Sequence, residues 1–281
     1  VGRIPIGLAL SGGTARSVAH IGVIKAIEER GNVIDYLSGT SGGSIVAALY
    51  AGGKTVSELE RIADGMQWWK LAGLTFSRLG FLSGDKIAEF IIEQVGDIDF
   101  EELRIPTAIV AADLTTGRKK VFTEGRVAIA CQASSSIPEI YRPVEMKGHS
   151  LVDGGLIEYL PIETLSSFGE MFRMGVNLGR IGADARRKPK HIIEVIMQVT
   201  GFVSQHNSRR SEELADFVVC PDLSGYSPFA LQKAHEMIEL GYRETLKSMP
   251  EMERAMRAYG SLLGRLKRGL KRRSSGIPSG S

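Results

Sequence analysis

Gly39-Thr40-Ser41-Gly42-Gly43 is a G-x-S-x-G pattern lying between a short apolar run, Val33–Leu37, and a helical one, Ile45–Ala51. A serine on a strand-to-helix turn presents its hydroxyl above the sheet, and small neighbours let an acyl carbon approach it. The N–H groups that open the next helix face the negative charge such an attack creates. The pattern is weak by itself in a chain holding 33 glycines among 281 residues, where a Ser-Gly turn can simply cap a helix. Ser11-Gly12-Gly13-Thr14-Ala15-Arg16 adds a second element directly after the apolar Ile6–Leu10. Successive backbone N–H groups in such a loop form a concavity for an oxyanion or a phosphate. The phosphate reading lacks both G-x-G-x-x-G and a Walker lysine. Arg16 reads as a structural ion pair, an anchor for the loop, or a cation that meets an anionic headgroup. The third element is Asp153 in Leu151-Val152-Asp153-Gly154-Gly155. Asp-Gly-Gly serves as an ordinary turn, and beside Ser41 it would also supply a carboxylate general base.

A Ser-Asp-His order would require an imidazole after Asp153. His191, His206 and His235 follow it, but all three fall on or beside helical patterns; His20 lies on the first helix and His149 in a hairpin turn. The expectation is therefore a nucleophile and a carboxylate with no histidine between them. The dispersed histidines offer no metal-ligand spacing, so no metal and no cofactor are expected.

The elements that must carry these residues read strand, helix, strand, helix: Ile6–Leu10, Val18–Arg30, Val33–Leu37 and Ile45–Ala51. That order is the signature of a mostly parallel sheet covered by helices. Further helices are expected at Val56–Gln67, Asp85–Val95, Val127–Ser134, His191–Ser208, Pro228–Lys247 and Glu251–Leu270. Strands are expected at Thr107–Asp113, Lys119–Thr123, Tyr141–Met146, Ser150–Val152, Phe172–Val176 and Phe217–Val219. No repeat or linker divides the chain, so residues 1–273 read as one α/β domain followed by a flexible tail, 274–281.

With a glycine-rich loop and its Arg, G-x-S-x-G, and Asp-Gly-Gly in that order, the chain resembles the patatin-like phospholipase family from about Ile6 to about Leu178. Ala133–Pro138 and Leu160-Pro161 belong to the same resemblance. It implies a three-layer α/β/α fold with a nucleophile elbow, Ser41 as nucleophile, Asp153 completing a Ser-Asp dyad, and an oxyanion hole from the N–H groups of Gly12, Gly13 and Thr14. The implied activity is calcium-independent hydrolysis of phospholipid or lysophospholipid esters. A general carboxylesterase or acyl thioesterase on the same dyad, and a weakly active or non-catalytic lipid- or protein-binding descendant, remain open. Four positions depart from the family: Thr14 and Ser17 where glycine is usual, Glu139 after Pro138, and Glu158 where Asn is common. If the loop requires φ > 0 at position 14, a β-branched residue there is costly. Glu158, if close to Asp153, would raise the apparent pKa of the pair.

Trp68, Trp69, Phe76 and Phe81 make residues 56–96 a candidate helical lid that lines an acyl groove, or else a satellite core under a loop. Residues 250–273 interleave Leu262, Leu263, Leu266 and Leu270 with Arg265, Lys267, Arg268 and Lys271, a basic amphipathic helix suited to an anionic membrane or to packing on the domain. The balance of 35 Lys+Arg against 32 Asp+Glu, a net +3, gives no case for nucleic acid. Two cysteines, Cys131 and Cys220, fit reduced small hydrophobes. Without a signal-peptide-like stretch before the first strand or a membrane-length apolar run, a cytoplasmic protein with peripheral membrane contact is expected.

Overall fold

The computed structural model describes residues 3–66, 73–77, 80–179, 188–189 and 192–261. The chain begins with β1 (Ile6–Leu10), α1 (Ala19–Glu29), β2 (Ile34–Thr40), α2 (Gly42–Ala51) and α3 (Val56–Asp64). There follow β3 (Gly73–Ser77), β4 (Gly80–Ser83), α4 (Asp85–Val95), β5 (Thr107–Asp113), β6 (Arg118–Phe122) and α5 (Val127–Ser134). The remainder is β7 (Val144–Met146), β8 (His149–Asp153), α6 (Ile162–Leu165), β9 (Phe172–Val176), α7 (Ile192–Leu214), β10 (Phe217–Val219) and α8 (Ala234–Gly260).

An eight-stranded sheet runs in the order β10-β9-β1-β2-β5-β8-β7, with β6 also paired to β5. The pairings from β10 to β5 are parallel, and those of β6, β7 and β8 are antiparallel. β1 and β5 are buried along their whole lengths, which is why both read as continuous apolar runs rather than alternating ones. On β1, Leu8 and Leu10 join the larger core with α1, α2 and α8, while Ala9 joins a smaller core with Leu160, Ile162, Leu165 and Met171. Two cores on opposite faces of one sheet are the three layers of an α/β/α fold.

β5 holds the feature that matters most for function. β6 occupies one edge of it over Ile109–Asp113. The other edge is therefore shared in succession: β2 pairs with it up to Thr40↔Val110, and β8 takes over at Asp153↔Ala111. The residue following β2 and the last residue of β8 are thereby delivered to one point.

α1 and α8 cross at two glycines. A Cβ on Gly22 would lie 1.9 Å from the Ile238 carbonyl oxygen, and one on Gly241 would lie 2.2 Å from the Ala19 carbonyl oxygen. Gly22→Ala should therefore cost about 2–3 kcal/mol through overpacking against backbone that cannot yield. Chemical denaturation would read this as a lowered midpoint at unchanged slope.

The structure departs from the sequence expectations in several places; the helix expected to end at Ser208 runs to Leu214, and the strand expected at Tyr141–Met146 is Val144–Met146 alone. Residues 73–83 pair as an antiparallel hairpin, β3 with β4, so the region 56–96 is not wholly helical. Its two helices bury Leu59, Ala63, Ile87 and Ile91 in the main core. The helices expected at 228–247 and 251–270 are one, α8, which begins at Ala234 and runs through Pro250. Proline removes one backbone hydrogen bond, yet Met249 and Met252 on either side are 1% exposed, and their burial holds both halves to the core. The basic segment beyond Ser261 lies outside the described residues. β2 continues to Thr40, bringing the strand end up to Ser41 itself. No disulfide joins Cys131 to Cys220. No described helix is long and apolar enough to cross a membrane.

Candidate active site

Ser41 connects β2 to α2 with φ 52° and ψ −131°, a backbone region that non-glycine residues enter at a cost of about 1–3 kcal/mol. The surroundings impose this conformation. A Cβ on Gly39 would meet Ser44 Cα at 2.6 Å, and one on Gly43 would meet the Leu10 and Ser11 carbonyl oxygens at 2.4 Å, so only glycine lets α2 start this close to the sheet. The Ser41 N–H donates to Ser134 Oγ at 2.8 Å, and Ser134 Oγ donates to the Val110 carbonyl of β5 at 2.6 Å. Ser44 closes the turn, with its N–H at 2.8 Å and its Oγ at 2.6 Å from the Ser41 carbonyl oxygen.

Ser41 Oγ donates to Asp153 Oδ2 at 2.6 Å, and the other carboxylate oxygen accepts the Gly155 N–H at 2.8 Å. Both residues are buried, at 6% and 4% exposure. The Asp153 N–H donates to the Ser136 carbonyl at 2.9 Å, so the segment carrying Ser134 and Ser136 fixes both halves of the pair. Burial pushes the Asp153 carboxyl up to about 6, and the hydrogen bonds from Ser41 and Gly155 oppose that rise. Glu158 is not the cause of the rise. Its carboxylate turns away to Lys119 Nζ at 2.7 Å and to the Thr164 N–H and Oγ1 at 3.0 and 2.5 Å. No histidine bonds to either member of the pair among the described residues; His20 Nε2–H donates to the Ser11 carbonyl at 2.8 Å, and burial lowers its pKa to about 4.

The glycine loop passes beside Ser41, with one correction to the expected donors. The Gly12 N–H is consumed by the Tyr159 carbonyl at 3.1 Å. Gly12 matters for what it lacks, since a Cβ there would lie 2.7 Å from Tyr159 Cε2 and 3.4 Å from Ser41 Cβ. Among the described residues, the N–H groups of Gly13, Thr14 and Gly42 have no acceptor and stay open to a ligand. Ser17 Oγ is also buried without a partner; it sits where a Cβ on Gly42 would be, 2.2 Å away. Arg16 anchors the loop: its Nε donates to the Tyr226 carbonyl at 3.0 Å, Nη2 donates to the same oxygen, and Ala15 N–H reaches the Pro228 carbonyl at 3.0 Å. Burial depresses the Arg16 guanidinium pKa from its ordinary value.

Thr14 has φ 51° and Glu139 φ 67°, so two of the four departures from the family pattern occupy left-handed backbone. Thr14→Gly should relieve this strain and stabilise the chain by about 1 kcal/mol. For a chain of this size the melting temperature would rise by roughly 2–4 °C.

A narrow apolar cleft, open to solvent, begins at Thr14, Ser17 and Gly42 and runs between α2 and α3 past Ile45, Leu49, Leu59, Ile62 and Met66. Trp68 and Trp69, expected to line such a groove, lie outside the described residues, as do the side chains of Phe76 and Phe81 on β3 and β4. Sequence reasoning missed the cleft because its lining residues look like ordinary core-facing positions of two helices. Ser134 and Tyr159 were missed too: nothing in the run Ser134-Ser135-Ser136 marks which hydroxyl braces the elbow, and Tyr159 acts on the loop through its carbonyl and ring.

Comparison with known proteins gives the family and the fold. The pattern of the patatin-like phospholipase family matches residues 8–166. An uncharacterized NTE family protein of Mycobacterium tuberculosis is 34% identical over 176 residues, covering 62% of this chain and 49% of that protein. Lysophospholipase NTE1 of Mycosarcoma maydis is 33% identical over 182 residues, covering 63% of this chain and 10% of that protein. The chain thus spans about half the length of the mycobacterial relative and about a tenth of the fungal one. The crystal structure of VipD from Legionella pneumophila shares the fold, with a TM-score of 0.58 at 14% identity over 89% of this chain and 67% of that one. A match extending from β1 through the serine elbow and Asp153 to α6 places the chain in the patatin-like phospholipase family.

Proposed function

We propose that the chain hydrolyses carboxylic esters of phospholipids or lysophospholipids through a Ser41–Asp153 dyad. The observation that carries this reading is the direct 2.6 Å hydrogen bond from Ser41 Oγ to a buried carboxylate. Asp153 takes the proton as Ser41 Oγ bonds to the ester carbonyl carbon, giving a tetrahedral intermediate. The negative oxygen is received by the N–H groups of Gly13, Thr14 and Gly42 at the start of α2, donors fixed in advance of the reaction. Collapse expels the alcohol, which takes the proton from Asp153. Water then attacks the acyl-serine with Asp153 as base and releases the fatty acid. A carboxyl raised to about 6 is ionised at neutral pH yet basic enough to accept a hydroxyl proton, the compromise that general-base catalysis requires.

The cleft between α2 and α3 supports a lipid acyl chain as the occupant, since it opens at the donor groups and is lined almost wholly by carbon. The lysophospholipase name of the fungal relative supports the same substrate class. The membrane contact in this reading is peripheral and favours anionic lipid. A side-by-side assay of lysophosphatidylcholine, diacyl phosphatidylcholine and p-nitrophenyl butyrate, with fluorophosphonate labelling of Ser41, tests the proposal. Hydrolysis of the lipids above the simple ester is expected. Preference for the short ester would make the chain a general carboxylesterase, and failure to label would make it a non-catalytic binder.

A further inference from the structure

Ile192, Val195, Val199, Phe202 and Val203, all on α7, are 66%, 40%, 55%, 47% and 37% exposed. At about 100° per residue they fall within an arc of roughly 100°, one continuous stripe on the helix. The opposite side of the same helix buries Ser204, Ser208 and Ser211. The helix thus turns hydroxyls toward the domain and large apolar side chains toward solvent, the reverse of what stabilises a water-facing helix. An outward apolar face of this kind marks an interaction surface.

Its position and charge identify the partner. α7 is fastened to the loop that follows Asp153: Ser204 Oγ donates to the Gly155 carbonyl at 3.2 Å, and Asn207 Nδ2 to the Leu156 carbonyl at 2.7 Å. On the other flank of the site, Phe229 is 38% exposed in the segment whose Pro228 carbonyl holds the glycine loop at Ala15. On the N-terminal side of the helix, Lys188 is exposed. Arg209 and Arg210, both exposed, follow the stripe, with Glu213 one turn further on.

We propose that the outward face of α7 docks on an anionic lipid bilayer and so presents the dyad to lipid in the membrane. An apolar stripe bracketed by cations lies in the plane of a bilayer interface, its carbon face among the acyl chains and its cations near the headgroups. A second protein would demand a matched surface, whereas a bilayer accepts any stripe of this composition. The inference rests on the proposed lipid hydrolysis only for its purpose, because docking is measured without turnover.

The test is flotation of the full chain with vesicles of phosphatidylcholine alone and of phosphatidylcholine with 30% phosphatidylserine. Wild type and Ser41→Ala are expected to float with the anionic vesicles and far less with the neutral ones. Val195→Ser/Val199→Ser should partition about tenfold more weakly or less still, while hydrolysing p-nitrophenyl butyrate at the wild-type rate. Val195→Leu/Val199→Leu should bind at least as well as wild type. The proposal is overturned if wild type does not float, if the serine variant floats equally well, or if sedimentation shows a dimer that the serine variant dissolves, which would assign the face to a second copy. Flotation of Ser41→Ala separates this outcome from the fate of the hydrolase reading.

Discussion

Ser41→Ala should abolish fluorophosphonate labelling and lower ester hydrolysis by about 10⁴-fold or more, the scale on which removing a nucleophile acts. The loss is chemical because little else depends on that oxygen. The backbone bonds that brace the elbow, from Ser134, Ser44 and the glycine contacts, do not involve Ser41 Oγ. The side-chain bond to Asp153 is forfeited, and because that bond lowers the carboxyl's pKa, the variant's Asp153 should titrate above about 6. Thermal unfolding should therefore stay close to wild type while turnover disappears. A variant that still labels or turns over would remove Ser41 from the mechanism.

Asp153→Asn should lower kcat/KM by about 10⁴-fold, comparable to neutralising the carboxylate of other serine hydrolases, while making the fold more stable at neutral pH. Asparagine is isosteric and retains an acceptor for the Gly155 N–H, now at 2.8 Å, but cannot take a proton from Ser41. The sign of the stability change follows from linkage. The folded-state pKa of about 6 exceeds the ordinary 3.8, so the neutral carboxyl is the form the fold favours. The stabilisation this represents is fully present below pH 3.8 and is lost as pH rises through about 6. Above that the ionised, buried carboxylate costs about 3 kcal/mol, the difference in pKa times 1.36 kcal/mol. Urea unfolding should find the Asn variant more stable than wild type at pH 8 and equal to it at pH 4. Wild-type activity should rise with pH through about 6 and then level. Equal stability of the two proteins at pH 8 would contradict a strained, desolvated base.

Much of the scaffold was legible because its signals are local. β1, α4, β5, α5, β9 and β10 lie within the spans that apolar periodicity and turn residues marked. The three motifs also carried their own chemistry, as a serine on a glycine turn and an aspartate closing a strand do anywhere. Where local rules failed, a long-range contact outweighed them. Pro250 signals a helix end, yet α8 continues because its neighbours Met249 and Met252 are buried. Thr14 and Glu139 argue against positive φ, and the chain holds both there. Glu158, two residues beyond the loop that follows Asp153, suggested a paired carboxylate, whereas Lys119 and Thr164 draw it away.

Residue type and order by themselves determined which groups could react and the elements that bear them, because helix and strand periodicity depend on neighbours a few positions apart. Only the tertiary structure decided that Ser41 and Asp153 meet, through β2 and β8 taking successive places along one edge of β5. It also decided that the Gly12 N–H is spent on Tyr159 and that the Asp153 carboxyl is desolvated and raised to about 6. Strand partners, the fate of a backbone donor and the dielectric around a carboxylate are set by segments far apart in sequence, and no local pattern encodes them.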